Sequence, residues 1–194
     1  MKDTIFLLCV VAATVTLLST SRLVAADWPQ WRGPQRNGVS AETGLLEEWP
    51  KEGPRLVGKI GSGYSTPAVV GQQIYLLANQ GLDNEFVQAR AVADGGPIWS
   101  TRIGKVGNPD QQPNYPAARS TPTVDGRFLY VLGSDGDLAL VEATPQAYRE
   151  KGRFTPPDQP DRGRSKAWAY PVVANGRLYI RDLDVLWSYD VRKP

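Results

Sequence analysis

An all-β chain made of repeated antiparallel units is what the sequence predicts, and three observations carry that reading. A block of Pro-x-Val, a Gly-containing turn and an apolar-Tyr pair occurs three times. Between the blocks, short runs alternate apolar and polar residues with the period of two that marks a half-buried strand. No stretch of roughly 11 to 18 residues carries a helical apolar period with caps at both ends.

The first block runs from Ser65-Thr66-Pro67-Ala68-Val69 to Ile74-Tyr75. The second runs from Ser120-Thr121-Pro122-Thr123-Val124 to Leu129-Tyr130, and the third from Ala169-Tyr170-Pro171-Val172-Val173 to Leu178-Tyr179. In each, Tyr follows Pro by eight residues, and Gly71, Gly126 and Gly176 fall between. Proline suits the opening of a short strand, where a missing N–H costs least; the Gly supplies a tight turn, and the apolar-Tyr pair begins the return strand. Successive prolines lie 55 and 49 residues apart, somewhat more than the roughly 40 to 45 residues of a four-stranded propeller blade. Long loops absorb the excess.

The first repeat continues through Phe86 to Ala91, the turn Asp94-Gly95-Gly96 and a closing strand with Trp99. The second has Phe128 to Leu132, the turn Gly133 to Gly136 and Leu138 to Val141, then reaches Pro145 without a Gly-x-x-x-Trp element. The third ends in Val185-Leu186-Trp187-Ser188-Tyr189. Repeats are thus expected near 60–102, 117–143 and 167–191, as β-propeller-type four-stranded blades. Residues 144–166, in which the stretch from Lys151 to Lys166 mixes five basic side chains with prolines and glycines, read as an extended solvated connector, with a basic docking patch as the alternative. At most one short helical turn is expected within 143–151. Closing a ring takes about four to eight blades, so three predict an incomplete propeller.

Residues 1–26 read as a secretory signal: Lys2, a 14-residue apolar stretch from Ile5 to Leu18, and the small residues Val24-Ala25-Ala26 before Asp27. That stretch is too short to span a bilayer comfortably, so cleavage after Ala26 is expected, with an uncleaved anchor and lipidation at Cys9 as lesser alternatives. Residues 27–194 then form one repeat domain, exported to the periplasm or cell envelope, with no transmembrane segment. Its charge is close to balanced, which leaves no field to recruit nucleic acid. The chain has no His, and its one Cys lies in the leader. Those absences remove histidine bases, Ser-His-Asp and Cys-His chemistry, and the usual nitrogen and sulfur metal ligands.

The repeat of Pro-x-Val, Gly turn, apolar-Tyr and Gly-x-x-x-Trp resembles the tryptophan-docking blades of pyrroloquinoline-quinone-like (PQQ-like) β-propellers. Gly95 and Trp99 match that last element. The opening Asp27-Trp28-Pro29-Gln30-Trp31-Arg32-Gly33-Pro34-Gln35-Arg36-Asn37-Gly38 is similar to the start of exported members from planctomycete-type bacteria. Members carry further blades, so the resemblance implies an internally shortened or divergent relative. It also implies structural roles for Pro67, Tyr75, Gly95, Trp99, Pro122, Tyr130, Pro171, Tyr179 and Trp187. Family dehydrogenases use a catalytic Asp, calcium and usually adjacent cysteines beside PQQ. No segment here matches the calcium ligands, and no residue is assigned a catalytic, cofactor-binding or metal role.

The expectation is a non-catalytic envelope scaffold that binds a protein or envelope component and needs no cofactor, with homo-oligomers possible in principle through open blade edges. The alternatives are a PQQ-dependent dehydrogenase using PQQ with calcium, or a degenerate relative of one, and a carbohydrate-binding module suggested by six Trp. Asp83-Asn84-Glu85, Asp135-Gly136-Asp137 and Asp182-Leu183-Asp184 carry oxygen donors but lack the ligand spacing of a calcium loop, and turn chemistry accounts for them. Gly61-Ser62-Gly63 reads as a flexible turn. The segment from Gly104 to Arg119 brings polar, aromatic and cationic groups together, so Asp110, Asn114, Tyr115 and Arg119 are the candidate ligand-facing residues, against a purely structural inter-blade loop.

Overall fold

The computed structural model describes residues 26–51, 58–106, 117–163 and 165–193. The leader before Ala26 and the candidate residues Asp110, Asn114 and Tyr115 lie outside them. The described chain is all-β, with eleven strands: β1 (Ala68–Val70), β2 (Gln73–Asn79), β3 (Glu85–Ala91), β4 (Pro97–Gly104), β5 (Thr123–Asp125), β6 (Phe128–Leu132), β7 (Leu138–Glu142), β8 (Glu150–Phe154), β9 (Val172–Ala174), β10 (Arg177–Asp182) and β11 (Val185–Asp190). They form propeller-type blades, two of four strands (β1-β2-β3-β4 and β5-β6-β7-β8) and one of three (β9-β10-β11), each pairing its strands in chain order and antiparallel.

The repeated block sets the same register three times. Pro67, Pro122 and Pro171 each stand immediately before a blade's first strand, and the residue after each Pro faces the Tyr of the return strand: Ala68 opposite Tyr75, Thr123 opposite Tyr130, Val172 opposite Tyr179. The turns use two chemistries. Gly71 (φ 57°) and Gly126 (φ 58°) take the first turn position, whereas the third blade places Asn175 (φ 53°) and Gly176 (φ 71°) in succession, the Asn-Gly pair that a two-residue hairpin with both φ positive prefers.

The apolar core lies between successive sheets. Tyr75, Leu77 and Val87 of the first blade pack with Leu129, Val131 and Val141 of the second. Leu132 and Leu138 of the second pack with Leu178 and Ile180 of the third. Trp99 fastens the first joint: its indole Nε1 donates to the Thr144 carbonyl at 2.9 Å, and its ring lies 6.1 Å from Tyr75 and 5.6 Å, edge-on, from Tyr148. Gly95, at φ 69°, ends the turn that leads into that strand. Trp187 sits in the third strand of its blade rather than a fourth, and donates to the Pro157 carbonyl at 2.9 Å.

Residues 144–166 differ from the connector expected there. Glu150–Phe154 forms β8 and completes the second blade, and no helical turn occurs within 143–151. This strand carries no apolar alternation because it is the outer edge, with every residue exposed. The connector's charges are engaged: Lys151 pairs with Glu142 at 3.2 Å, Arg153 with Glu150 at 3.0 Å, and Arg162 with the buried Asp182.

The first strands β1, β5 and β9 are sheet edges that meet in sequence. The opening motif lies across all three. Trp28 pairs antiparallel with Val69 of β1 through bonds of 2.7 and 2.8 Å, the Pro29 carbonyl accepts from Val124 N of β5 at 2.8 Å, and Arg36 reaches the Val173 carbonyl of β9 at 3.4 Å. Otherwise unpaired edge groups are satisfied there. Trp31 stacks on Tyr170 at 5.0 Å. The Trp28 ring packs so closely on Gly33 (φ 77°) that a Cβ there would lie 2.7 Å from it.

Candidate functional site

The chain enters each first strand through an equivalent segment, and one backbone and two hydroxyl hydrogen bonds tie the three segments side by side. Tyr64 N donates to the Ala118 carbonyl at 2.7 Å, Ser120 Oγ to the Ala169 carbonyl at 3.2 Å, and Thr123 Oγ1 to the Pro171 carbonyl at 2.7 Å. Gly61-Ser62-Gly63 is therefore no loose turn: Ser62 bridges Asn79 and Gly63 bridges Ala118.

Three residues before each repeat proline stand Tyr64, Arg119 and Trp168. Their side chains stack. The Arg119 guanidinium carbon lies 4.9 Å from the Tyr64 ring centroid and 4.1 Å from that of Trp168, within cation–π range of both faces. Tyr64 is 60% exposed and Trp168 52%, so the stack presents its outer parts to solvent. Arg119 alone of the predicted ligand-facing residues falls within the described chain.

A cavity of about 480 Å³ opens beside the stack, lined by Lys166, Trp168, Tyr170, Arg181 and Asp182 among others. Asp182 is committed to its ion pair with Arg162. Lys166 is 2% exposed. Loss of water and the neighbouring Arg119 charge pull its ammonium below the usual lysine range, with Glu85 acting in the other direction. A second hollow of about 410 Å³ adjoins through Ser165 and is lined by Lys105, Ser134, Asp135 and Arg162.

Glu85 is wholly buried and joins the first two blades: its carboxylate accepts Ser134 N at 2.8 Å and Ser134 Oγ at 2.9 Å. Burial pushes the carboxyl up to about 7, with Asp135 adding to the rise and Ser134 and Lys166 opposing it. A group so enclosed cannot meet a substrate; its geometry is that of a latch. The other carboxylate-bearing turns are also occupied by structure. Asn84 Oδ1 and the Asp83 carbonyl accept from Arg102, Asp135 accepts Asp137 N at 3.2 Å, and Leu183 takes φ 48° in the β10–β11 turn.

Among the described residues no three Asp or Glu side chains come together to hold a metal. The donor set beside the stack is cationic and aromatic, with Asp182 already paired, and so does not fit calcium, which needs several converging oxygens. The arrangement is suited to recognition. Tyr64 is a residue of the cluster that the sequence reading did not name, whereas Trp168 entered only as one of six Trp and Lys166 only as part of the basic connector; the signal that finds Tyr64 and Trp168 is their shared offset from Pro67, Pro122 and Pro171.

Among solved structures, the chain is similar to BamB from Moraxella catarrhalis, at 14% identity and a TM-score of 0.49, over 69% of this chain and 35% of that one. It is also similar to a europium-containing methanol dehydrogenase, at 13% identity and a TM-score of 0.46, over 67% of this chain and 23% of that one. The similarity thus spans about a third and a quarter of their lengths. No protein-family model matches the sequence, and no curated protein matches it. Among the described residues no helix is long and apolar enough to cross a membrane.

Proposed function

We propose that this protein is an exported, non-catalytic scaffold of the PQQ-like repeat type, which binds a protein of the cell envelope through the Tyr64–Arg119–Trp168 stack and needs no resident cofactor. The observation that carries the reading is the stack itself. Trp, Tyr and Arg are the residues that dominate binding energy at protein interfaces, and here three repeats deliver one of each to a single half-exposed cluster. The guanidinium is held between two rings, so little side-chain freedom remains to be lost on binding.

The test replaces Trp168 with a photo-crosslinking amino acid in the full chain expressed in its host. A discrete protein adduct that disappears when Tyr64→Ala is added, with the far-ultraviolet circular dichroism spectrum unchanged, is the expected result. An adduct equally strong from a crosslinker at Lys151 on the outer edge, or one made only with glycan, would overturn the reading.

A further inference from the structure

The three blades are unequal at their outer side. The first and second each end in a fourth strand, β4 and β8, whereas β9-β10-β11 has three among the described residues. Val191 N donates to the Gly176 carbonyl at 3.0 Å. Every second residue back along the ladder, Tyr189, Trp187 and Val185, therefore also turns its main-chain groups toward β10. Leu186, Ser188 and Asp190 turn theirs to the open edge, where Arg177 takes the Ser188 carbonyl at 3.1 Å. The other two outer edges carry residues that discourage pairing: Pro97 opens β4, and β8 presents Glu150, Lys151 and Arg153. On β11, Asp190 is engaged by Arg192, and the edge presents Leu186, 65% exposed, with Leu183 and Val191 exposed beyond its two ends.

A second exposed apolar group lies in the segment that follows the opening motif. Leu45, Leu46 and Trp49 are between 62% and 81% exposed. They belong to a run bounded by Gly44 and Pro50 that has the five-residue length of β8. Glu47 and Glu48 lie inside the run, and residues 39–50 contain no Lys or Arg. Among the described residues neither Glu is in an ion pair. Arg181 stands opposite Leu186 in the sheet, and its guanidinium donates to the Leu183 carbonyl at 3.1 Å and to no carboxylate among the described residues. An apolar, acidic run and an apolar edge flanked by a cation thus complement each other. Both stay exposed within one chain, so the chain does not seat its run on its own edge.

We propose that two copies of this chain pair by reciprocal exchange, residues 45–49 of each lying along β11 of the other as its fourth strand. The run's main chain bonds the open edge, its Leu and Trp side chains cover Leu186, and its carboxylates meet Arg181. The exchange is two-fold and closed: once both runs are seated, neither copy has a run or an edge left, and the assembly stops at two. Counting both sites, it buries on the order of 1,000 Å², about what a specific interface needs. The proposal stands apart from the protein-binding reading, which concerns the Tyr64–Arg119–Trp168 stack.

The experiment measures the mass of the full chain by light scattering over a dilution series. A mass twice that of one chain is expected at high concentration. Leu46→Glu and Leu186→Glu should each weaken the pair about a hundred-fold, because each change acts at both exchange sites. Both positions are exposed, so the circular dichroism spectrum should not change. Cys9 is the one cysteine of the sequence, which allows a second test in a Cys9→Ser background. Leu46→Cys combined with Leu186→Cys should give a disulfide-linked dimer under mild oxidation, whereas Leu46→Cys combined with Lys151→Cys, on the edge of β8, should not. A single-chain mass at every concentration would overturn the proposal, as would a dimer indifferent to both Glu variants. A disulfide closed within one chain would also overturn it, since the run would then cover its own edge.

Discussion

Replacing Glu85 by Gln should change the pH dependence of stability more than stability itself. The carboxyl is buried at 0% exposure with its titration moved from 4.5 to about 7. A raised value means that the folded chain holds the proton more tightly than the unfolded chain. The favourable contribution is therefore complete below pH about 4.5 and is lost as pH rises through about 7. A displacement of this size corresponds to about 3 kcal/mol between those limits, at about 1.4 kcal/mol per unit. Gln keeps the shape and an oxygen for Ser134 N but carries no charge, so that component vanishes. Urea unfolding followed by tryptophan fluorescence at pH 4.5 and pH 8 measures it. The stability of E85Q relative to the parent should rise by about 3 kcal/mol between the two pH values. Lys166 and Asp135, the charged groups facing Glu85, are common to both proteins. Parallel stability curves would refute the argument, because they would mean that the Ser134 bonds offset burial and the carboxyl titrates normally.

Trp99→Phe keeps the ring against Tyr75 and Tyr148 but removes the bond to the Thr144 carbonyl, and should cost about 1 kcal/mol in denaturant unfolding. Gly33→Ala forces a Cβ at φ 77° to within 2.7 Å of the Trp28 ring, and should cost about 1–3 kcal/mol and speed exchange of the Val69 amide. Gly44→Ala, at φ 70° with nothing within 4 Å, isolates the backbone part of that cost. Asp182→Ala leaves Arg162 without its buried partner and should destabilise by about 3 kcal/mol, while Arg162→Gln with Asp182→Asn should recover part of it. A full loss in the double variant would show that the pair's position, not its charge balance, matters.

The blades were legible where sequence and structure share a local rule. Pro and Tyr eight residues apart are two ends of one hairpin, so Pro67–Tyr75, Pro122–Tyr130 and Pro171–Tyr179 disclosed their register directly. Trp99 was legible as a docking residue for the same reason. The strand β8 was not, because an outer edge needs no apolar face and Glu-Lys-Gly-Arg-Phe looks like a loop. Arg119 was named from its surroundings, but its stacking on two rings was hidden: Tyr64, Arg119 and Trp168 occupy one repeat position with three different chemistries, so no residue type repeats. The Glu85–Ser134 bond joins residues 49 apart, a distance over which residue patterns are silent.

The opening motif also bears on how the molecule unfolds. Stacked repeats that touch only their neighbours behave as a one-dimensional array, in which an end unit frays without disturbing the rest. The strip from Trp28 to Arg36 breaks that rule by reaching each first strand, including Val173 across 137 residues of sequence. A contact of that sequence separation is slow to form, and once formed it penalises the detachment of any single blade, since releasing the third loosens the strip that also seals the first and second. The melting of this chain is accordingly governed by a strap, the two-tryptophan opening motif that lies across all three blades.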